Sequence, residues 1–365
     1  MQGKSPCAGG RYQKTIWSVN ALSTGSMEME KLEIIKGGID LSSYIMKRCL
    51  MVIPVILGVI LLIFIILQAS PGDPARMILG EAASNEQVEA LRIELGLNDP
   101  IAVQLGRYLL NLVQGDFGTS YVSKTPVLQE VLTRFPTTLL LATLSVVFMV
   151  ILGIPIGIIS AVKQYSWVDN ISTTIALIGV SMPTFWTGML MVMLFSLYLG
   201  WLPASGFYGP KYWLMPALSI GIANAATMTR LTRSSMLEVI RQDYIRTARA
   251  KGQSERKVIL NHAFKNSLLP VITIIGIQLG IALGGAMVTE SVFSIPGLGS
   301  YMLSAIKTRD YPVIQGGVIL IATSFCIVNL IVDILYAFID PRIKAQYKSK
   351  AKNIKKIQIE EDNVA

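Results

Sequence analysis

From Leu50 to Leu67 the chain reads LMVIPVILGVILLIFIIL, without one charged side chain. The hydrocarbon core of a bilayer is about 30 Å thick and takes about 20 apolar residues as a helix, because only hydrogen bonds within the segment satisfy a backbone surrounded by lipid. Five more blocks meet or approach that demand: Thr137–Val162, Ile171–Leu199, Trp213–Met228, Leu268–Val288 and Val313–Ile339. The fourth of the six is the shortest and carries Asn224 and Thr227. Pro or Gly interrupts the second, third and fifth (Gly153, Pro155 and Gly157; Pro183; Gly284 and Gly285). Membrane helices tolerate this because small residues let neighbours approach, and those neighbours satisfy the broken backbone. The expectation is an all-α membrane protein with six transmembrane helices in one membrane domain.

Composition agrees. Of the 365 residues 52% are hydrophobic and 15% charged, against roughly 25% charged in soluble domains, and the mean hydropathy is +0.54. The net charge of +9 would suit a nucleic-acid binder if it formed one patch, so its distribution decides. With the N-terminus placed in the cytoplasm and sides alternating, the inner segments hold 24 of the 32 Lys and Arg against 12 acids. The outer segments hold 8 basic and 10 acidic residues. Basic residues retained inside are the positive-inside signature, so the charge implies a membrane topology with both termini cytoplasmic and no nucleic acid. Cys7, Cys49 and Cys326 lack metal-like spacing and suggest no disulfide framework, and the single histidine, His262, reads as structural or surface.

Residues 1–43 are polar, rich in Gly and Ser, and lack the apolar stretch of a signal peptide. They read as a disordered leader or an extension ahead of the true start, with Met27, Met29 and Met46 as candidate starts. Lys47 and Arg48 anchor the first span, and residues 44–136 comprise that span and a folded external segment. In this segment Ser84 and Gln87 form a capping box ahead of Val88, Leu91 and Leu95, and Gly96 ends the helix. Asp99-Pro100 opens a second helix striped by Ile101, Leu105, Tyr108 and Leu112 and closed by Gly115, and Thr125-Pro126 starts a third that runs into Pro136. These amphipathic helices lie on the membrane or bundle, or dock an external partner. Residues 137–343 form the core membrane domain, and 344–365 a charged cytoplasmic tail.

Within that core, residues 232–267 form the longest internal cytoplasmic loop, dense in Arg and Lys. Leu237, Ile240, Tyr244 and Ala248 share one helical face, Gly252 breaks the helix, and Ser254 is placed to cap a second helix bearing Val258, Leu260 and Phe264. The pattern suits a hairpin that inserts into a partner, or an ordinary solvated basic loop.

The run Asp243-Tyr244-Ile245-Arg246-Thr247-Ala248-Arg249-Ala250-Lys251-Gly252, followed by Leu268-Leu269-Pro270, resembles the coupling loop of binding-protein-dependent ABC permeases. The generic Glu-Ala-Ala, three residues, Gly and distant Leu-Pro are matched at Ala248, Gly252 and Pro270, while Arg246 and Thr247 occupy the Glu and first Ala positions as in the peptide/nickel branch. Ser70-Pro71-Gly72-Asp73-Pro74, Glu94–Pro100 and Gly115-Asp116-Phe117-Gly118 are similar to that branch's external N-terminal region. Glu290–Gly299 and Arg309-Asp310-Tyr311-Pro312 resemble its signature after the fifth span. The resemblance covers roughly residues 46–343.

It implies the type I ABC importer permease fold and a transport subunit rather than an enzyme. A second homologous permease would complete the pathway, two ATPase subunits would sit on the coupling loops, and an extracytoplasmic binding protein would deliver short peptides, or alternatively nickel, glutathione or another small solute. Tyr244, Arg246, Thr247, Ala248, Arg249, Lys251, Gly252 and Pro270 are the expected coupling residues. The basic edge would pair with acids, and Tyr244 and Ala248 would fill an apolar cleft. Gln278, Gly284, Gly285 and Glu290 are candidates for the substrate pathway, with pairing inside the following loop as the other reading of Glu290. The sequence contains no phosphate-binding loop of the Gly-x-x-x-x-Gly-Lys-Ser/Thr kind, so no cofactor is expected here and ATP belongs to the partners. A self-contained secondary transporter needs ionisable groups inside the membrane. Asp333 and Arg230 lie near span ends, and no relay emerges. A membrane enzyme needs a catalytic pair or a metal-binding His motif within the spans, and none contains one.

Overall fold

A computed structural model of the chain describes residues 46–339 other than 47, 71 and 81. The expected leader and the tail at 344–365 lie outside the described residues. Two units are distinguished, one containing Val52–Val332 and the other the flanking segments. In the latter, Arg48 pairs with Asp333 at 2.6 Å.

Among the described residues, four helices are long and apolar enough to cross a membrane: α1 (Arg48–Ala69), α5 (Val127–Val162), α10 (Glu255–Val292) and α12 (Tyr311–Ile339). The third expected span is broken. α6 (Trp167–Ser181) and α7 (Thr184–Tyr198) meet at 101°, because Pro183 has no N–H to continue the ladder and forces Met182 into an extended conformation. The third external helix does not end at Pro136 either. It continues through the second span as α5, one helix of 36 residues.

The fourth block sits in α8 (Pro210–Ile240), which extends well beyond Trp213–Met228 at both ends. α8 makes its most extensive contact with α5 and also packs on α6, α7 and α10. It is shielded by protein rather than lipid, so it needs less hydropathy than the outer helices. Close approach explains the α5–α8 pairing. A Cβ on Gly153 would lie 2.7 Å from the Met228 Cβ, and one on Gly157 would lie 2.8 Å from the Thr229 carbonyl. The Thr229 hydroxyl donates to the Gly153 carbonyl at 3.3 Å. Leu141, Met215, Ile220, Leu283 and Phe293 join in the main apolar core.

Between α1 and α5 the two short helices expected after Ser84 and Pro100 form, preceded by one that was not expected. α2 (Pro74–Leu79) is capped by Asp73, which accepts from the Ala75 N–H at 3.1 Å and pairs with Arg92. α3 (Asn85–Glu94) has the Ser84/Gln87 capping box, and α4 (Ile101–Val113) follows Pro100. α9 (Asp243–Ala250) and α11 (Leu298–Thr308) complete the helices at the two ends of the bundle.

Candidate coupling site

α8 ends at Ile240 and α9 begins at Asp243, so Leu237, Ile240, Tyr244 and Ala248 do not form one continuous stripe. The two-residue break turns α9 so that Ile245 and Ala248 face inward. They pack with Met236 of α8, Ala161 at the end of α5, and Val258, Ile259 and Ala263 at the start of α10. Ala248 is 8% exposed, which corrects the expectation that it fills a partner's cleft. Tyr244 is 44% exposed and is left as the aromatic group on the outer surface.

The reversal after α9 is a Schellman motif: the Gly252 N–H donates to the Arg249 carbonyl at 2.9 Å and the Gln253 N–H to the Ala248 carbonyl at 3.4 Å. Gly252 has φ +75° with open space around it, so the left-handed backbone alone requires glycine. Ser254 occupies the N-cap position of α10 but makes no side-chain capping bond, contrary to expectation. The chain is held instead by Arg249, which grips Glu255 at 2.7 and 3.3 Å, and by His262, whose Nε2 lies 2.7 Å from the Gln253 Oε1. After its first residues, Glu255–Lys257, α10 passes through a π-helical stretch, Val258–Phe264.

The hairpin therefore separates its residues into two sets. Ile245, Ala248 and Gly252 shape it, and Arg249 staples it. Tyr244, Arg246, Thr247 and Lys251 are exposed, and Arg246 is only loosely associated with Asp243 at 3.7 Å. Arg241, Arg256 and Lys257, also exposed, extend the basic surface. Pro270 is not part of it: fifteen residues beyond Glu255, it stands about 22 Å along α10 and interrupts that helix's hydrogen bonding.

One feature next to the hairpin escaped sequence reasoning. Asp169 at the start of α6 takes both Nε and Nη2 of Arg233 at 2.7 Å, the Tyr165 N–H at 2.9 Å, and the Ser160 hydroxyl. This buried carboxylate ties α5, α6 and α8 two turns before the hairpin, and its hydrogen bonds hold the Arg233 guanidinium further above its ordinary value. The available signal was a lone acid in the short 163–170 loop.

At the opposite end, Glu290 is fully buried. Its carboxylate accepts from the Thr138 hydroxyl at 2.6 Å and the Ser300 N–H at 2.8 Å, while the Leu298 N–H donates to Thr138 at 2.8 Å. The carboxylate ties α10 both forward to the start of α11 and back to α5, and, contrary to expectation, with no exposed surface it does not line an open pathway. Gln278 is buried. Gly284 and Gly285 are exposed and lie with Ile281 and Val288 on one stripe of α10. Asp310 is also buried, accepting from the Ser120 hydroxyl at 2.5 Å and the Tyr121 N–H at 3.0 Å. Burial, with Asp310 and Tyr311 adjacent, pushes the Tyr121 phenol up to about 12. Arg309 lies over Gly72, where a Cβ would sit 1.3 Å from its Nη1. The motif segments 70–74, 115–118 and 309–312, distant in sequence, are thus assembled at this end.

Residues 153–345 match the family described as binding-protein-dependent transport system inner membrane component, and residues 41–142 match the N-terminal region of such membrane components. The chain belongs to this family. It is a multi-pass inner-membrane transport component. A dipeptide transport system permease protein of Alkalihalophilus pseudofirmus is 44% identical over 330 residues, covering 83% of this chain and 99% of the relative. A glutathione transport system permease protein of Salmonella paratyphi A is 45% identical over 302 residues with the same coverage. The fold is similar to that of an inward-facing MetNI methionine ABC transporter chain, with a TM-score of 0.50 at 17% identity, over 57% of this chain and 96% of that one. The type I importer permease fold expected from the sequence is present.

Proposed function

We propose that this chain is the non-catalytic membrane subunit of an ATP-driven importer, forming half of a pathway for short peptides. The observation that carries the reading is the hairpin at α9: a rigid unit stapled by its own core and by Arg249–Glu255, presenting Tyr244, Arg246 and Lys251 outward. An aromatic group flanked by cations is suited to dock into an apolar cleft edged by acids on an ATPase subunit. Two such ATPases, one per permease, would hydrolyse ATP, and their closure would move the hairpins together. The positive-inside distribution supports a cytoplasmic hairpin and cytoplasmic termini. The exposed stripe Ile281–Gly284–Gly285–Val288 suits close approach by a second homologous permease or the wall of the pathway. An extracytoplasmic binding protein would deliver the substrate. Dipeptides and glutathione, the substrates in the relatives' names, are both short peptides, which favours that class over nickel.

The test is affinity purification of the tagged chain in mild detergent, followed by mass spectrometry and ATPase assay. Co-purification of a second permease and ATPases, with activity stimulated by a peptide-loaded binding protein, is expected. A chain that purifies alone and moves solute down an ion gradient would overturn the proposal.

A further inference from the structure

The uncovered faces of the outer helices are apolar, as at Leu62 and Ile65 on α1 and Ile175 and Ile178 on α6. α8 is different. It is packed on α5, α6, α7 and α10, and the face that they leave open carries Thr227, Arg230, Ser234 and Glu238. These residues follow one another at intervals of three or four, which places them on one side of the helix. Arg230, Ser234 and Glu238 are exposed, and Thr227 is half-buried.

The guanidinium on this stripe lacks a counter-charge. Arg233, one turn nearer the hairpin, is held by Asp169, but Arg230 makes no ion pair among the described residues. Glu238 does not supply one, because eight residues of helix separate the two by about 12 Å. Nor does the helix aim Arg230 at the cytoplasm. Every Cα–Cβ bond of an α-helix tilts toward the helix N-terminus, which on α8 is the end away from the hairpin. Arg230 stands two residues past the apolar block Trp213–Met228. A charge so placed in a membrane bundle faces water or a counter-charge, not lipid.

Chemistry narrows what comes to it. A guanidinium stays charged at any working pH, and its planar fork matches a carboxylate through two parallel hydrogen bonds. The hydroxyls of Thr227 and Ser234, one turn to either side, add donors for the same oxygens. A peptide presents one α-carboxylate whatever its side chains, so a single guanidinium recognises the class without reading the sequence. Resting on the peptide-importer reading above, we propose that Arg230 is the residue at the hairpin end of the pathway that binds the C-terminal carboxylate of the passing peptide.

The full chain, with whatever subunits co-purify, is placed in nanodiscs without ATP or binding protein, and binding of dialanine and of its C-terminal amide is compared by saturation-transfer NMR. Dialanine should bind about tenfold more tightly than the amide, as loss of a charge-assisted contact does. Arg230→Gln should erase that difference, and Arg230→Lys, which keeps the charge, should retain most of it. Both substitutions are exposed, so the thermal midpoint should stay unchanged. No binding of dialanine, equal binding of the two compounds, or an undiminished preference in Arg230→Gln would overturn the proposal. In the last case, loss of the second permease or of bound phosphatidylglycerol would assign the arginine to a subunit contact or to a lipid. Import by the wild-type complex with its binding protein is measured alongside. Peptide import without a preference that depends on Arg230 sinks this inference alone, and no import of any peptide sinks the reading beneath it as well.

Discussion

At the α11 end of the bundle, two buried carboxyl groups organise the loop: Glu290 and Asp310 each gather hydroxyl and backbone N–H donors, in part from segments far apart in sequence. At the hairpin end the buried groups are Ile245 and Ala248, and the charges stand in solvent. A buried carboxylate is directional and demands several donors at fixed positions, so it specifies one loop geometry. An apolar core is less directional, and it leaves the polar groups of the hairpin free for something else. One end is built to hold a shape, the other to offer a surface.

If that contrast is right, Glu290→Ala should have the largest effect on folding. It strands the donors of Thr138 and Ser300 in a buried site and should cost about 3 kcal/mol or more. A fall in membrane abundance and thermal midpoint would register it, and an unchanged midpoint would break the comparison. Asp169→Ala tests the exception, a buried carboxylate near the hairpin. Removing it leaves Arg233 half-buried and unpaired, and a loss of roughly 2–3 kcal/mol is expected in the same measurement.

Gly252→Val should behave differently. Forcing a β-branched residue into the left-handed region costs about 1–2 kcal/mol locally, so the chain should still insert and accumulate. Import should collapse because the hairpin tip changes direction, and transport at the normal rate would remove the coupling role. Smallest in stability is Arg246→Ala together with Lys251→Ala, exposed changes worth about 0.5 kcal/mol or less. Their effect should appear in co-purification of the ATPase, and a variant that retains it fully would show that this basic edge is not the docking surface.

Much of this arrangement was readable in advance. Apolar blocks announced the membrane helices because lipid imposes the same length and composition on any chain. Local grammar located Ser84, Gly96, Gly115 and Gly252, since capping and left-handed turns depend on a few neighbouring residues. The bend at Pro183 was signalled by the residue, but its 101° angle depends on how α7 packs against α8. The merging of the third external helix into α5 was hidden because Pro136 normally ends a helix, and here α10 and α11 pack against α5 in compensation.

What the sequence determined by itself was the membrane, the number of apolar blocks, the basic hairpin and the glycine that turns it. All of these follow from local composition and backbone sterics. Which side of α9 faces outward, whether Glu290 meets solvent or Thr138, and the union of Asp169 with Arg233 across 64 residues were decided only by the tertiary structure. Periodicity identifies the faces of a helix but not its neighbours, and a carboxylate's partner is fixed by whichever donors packing brings within 3 Å or so.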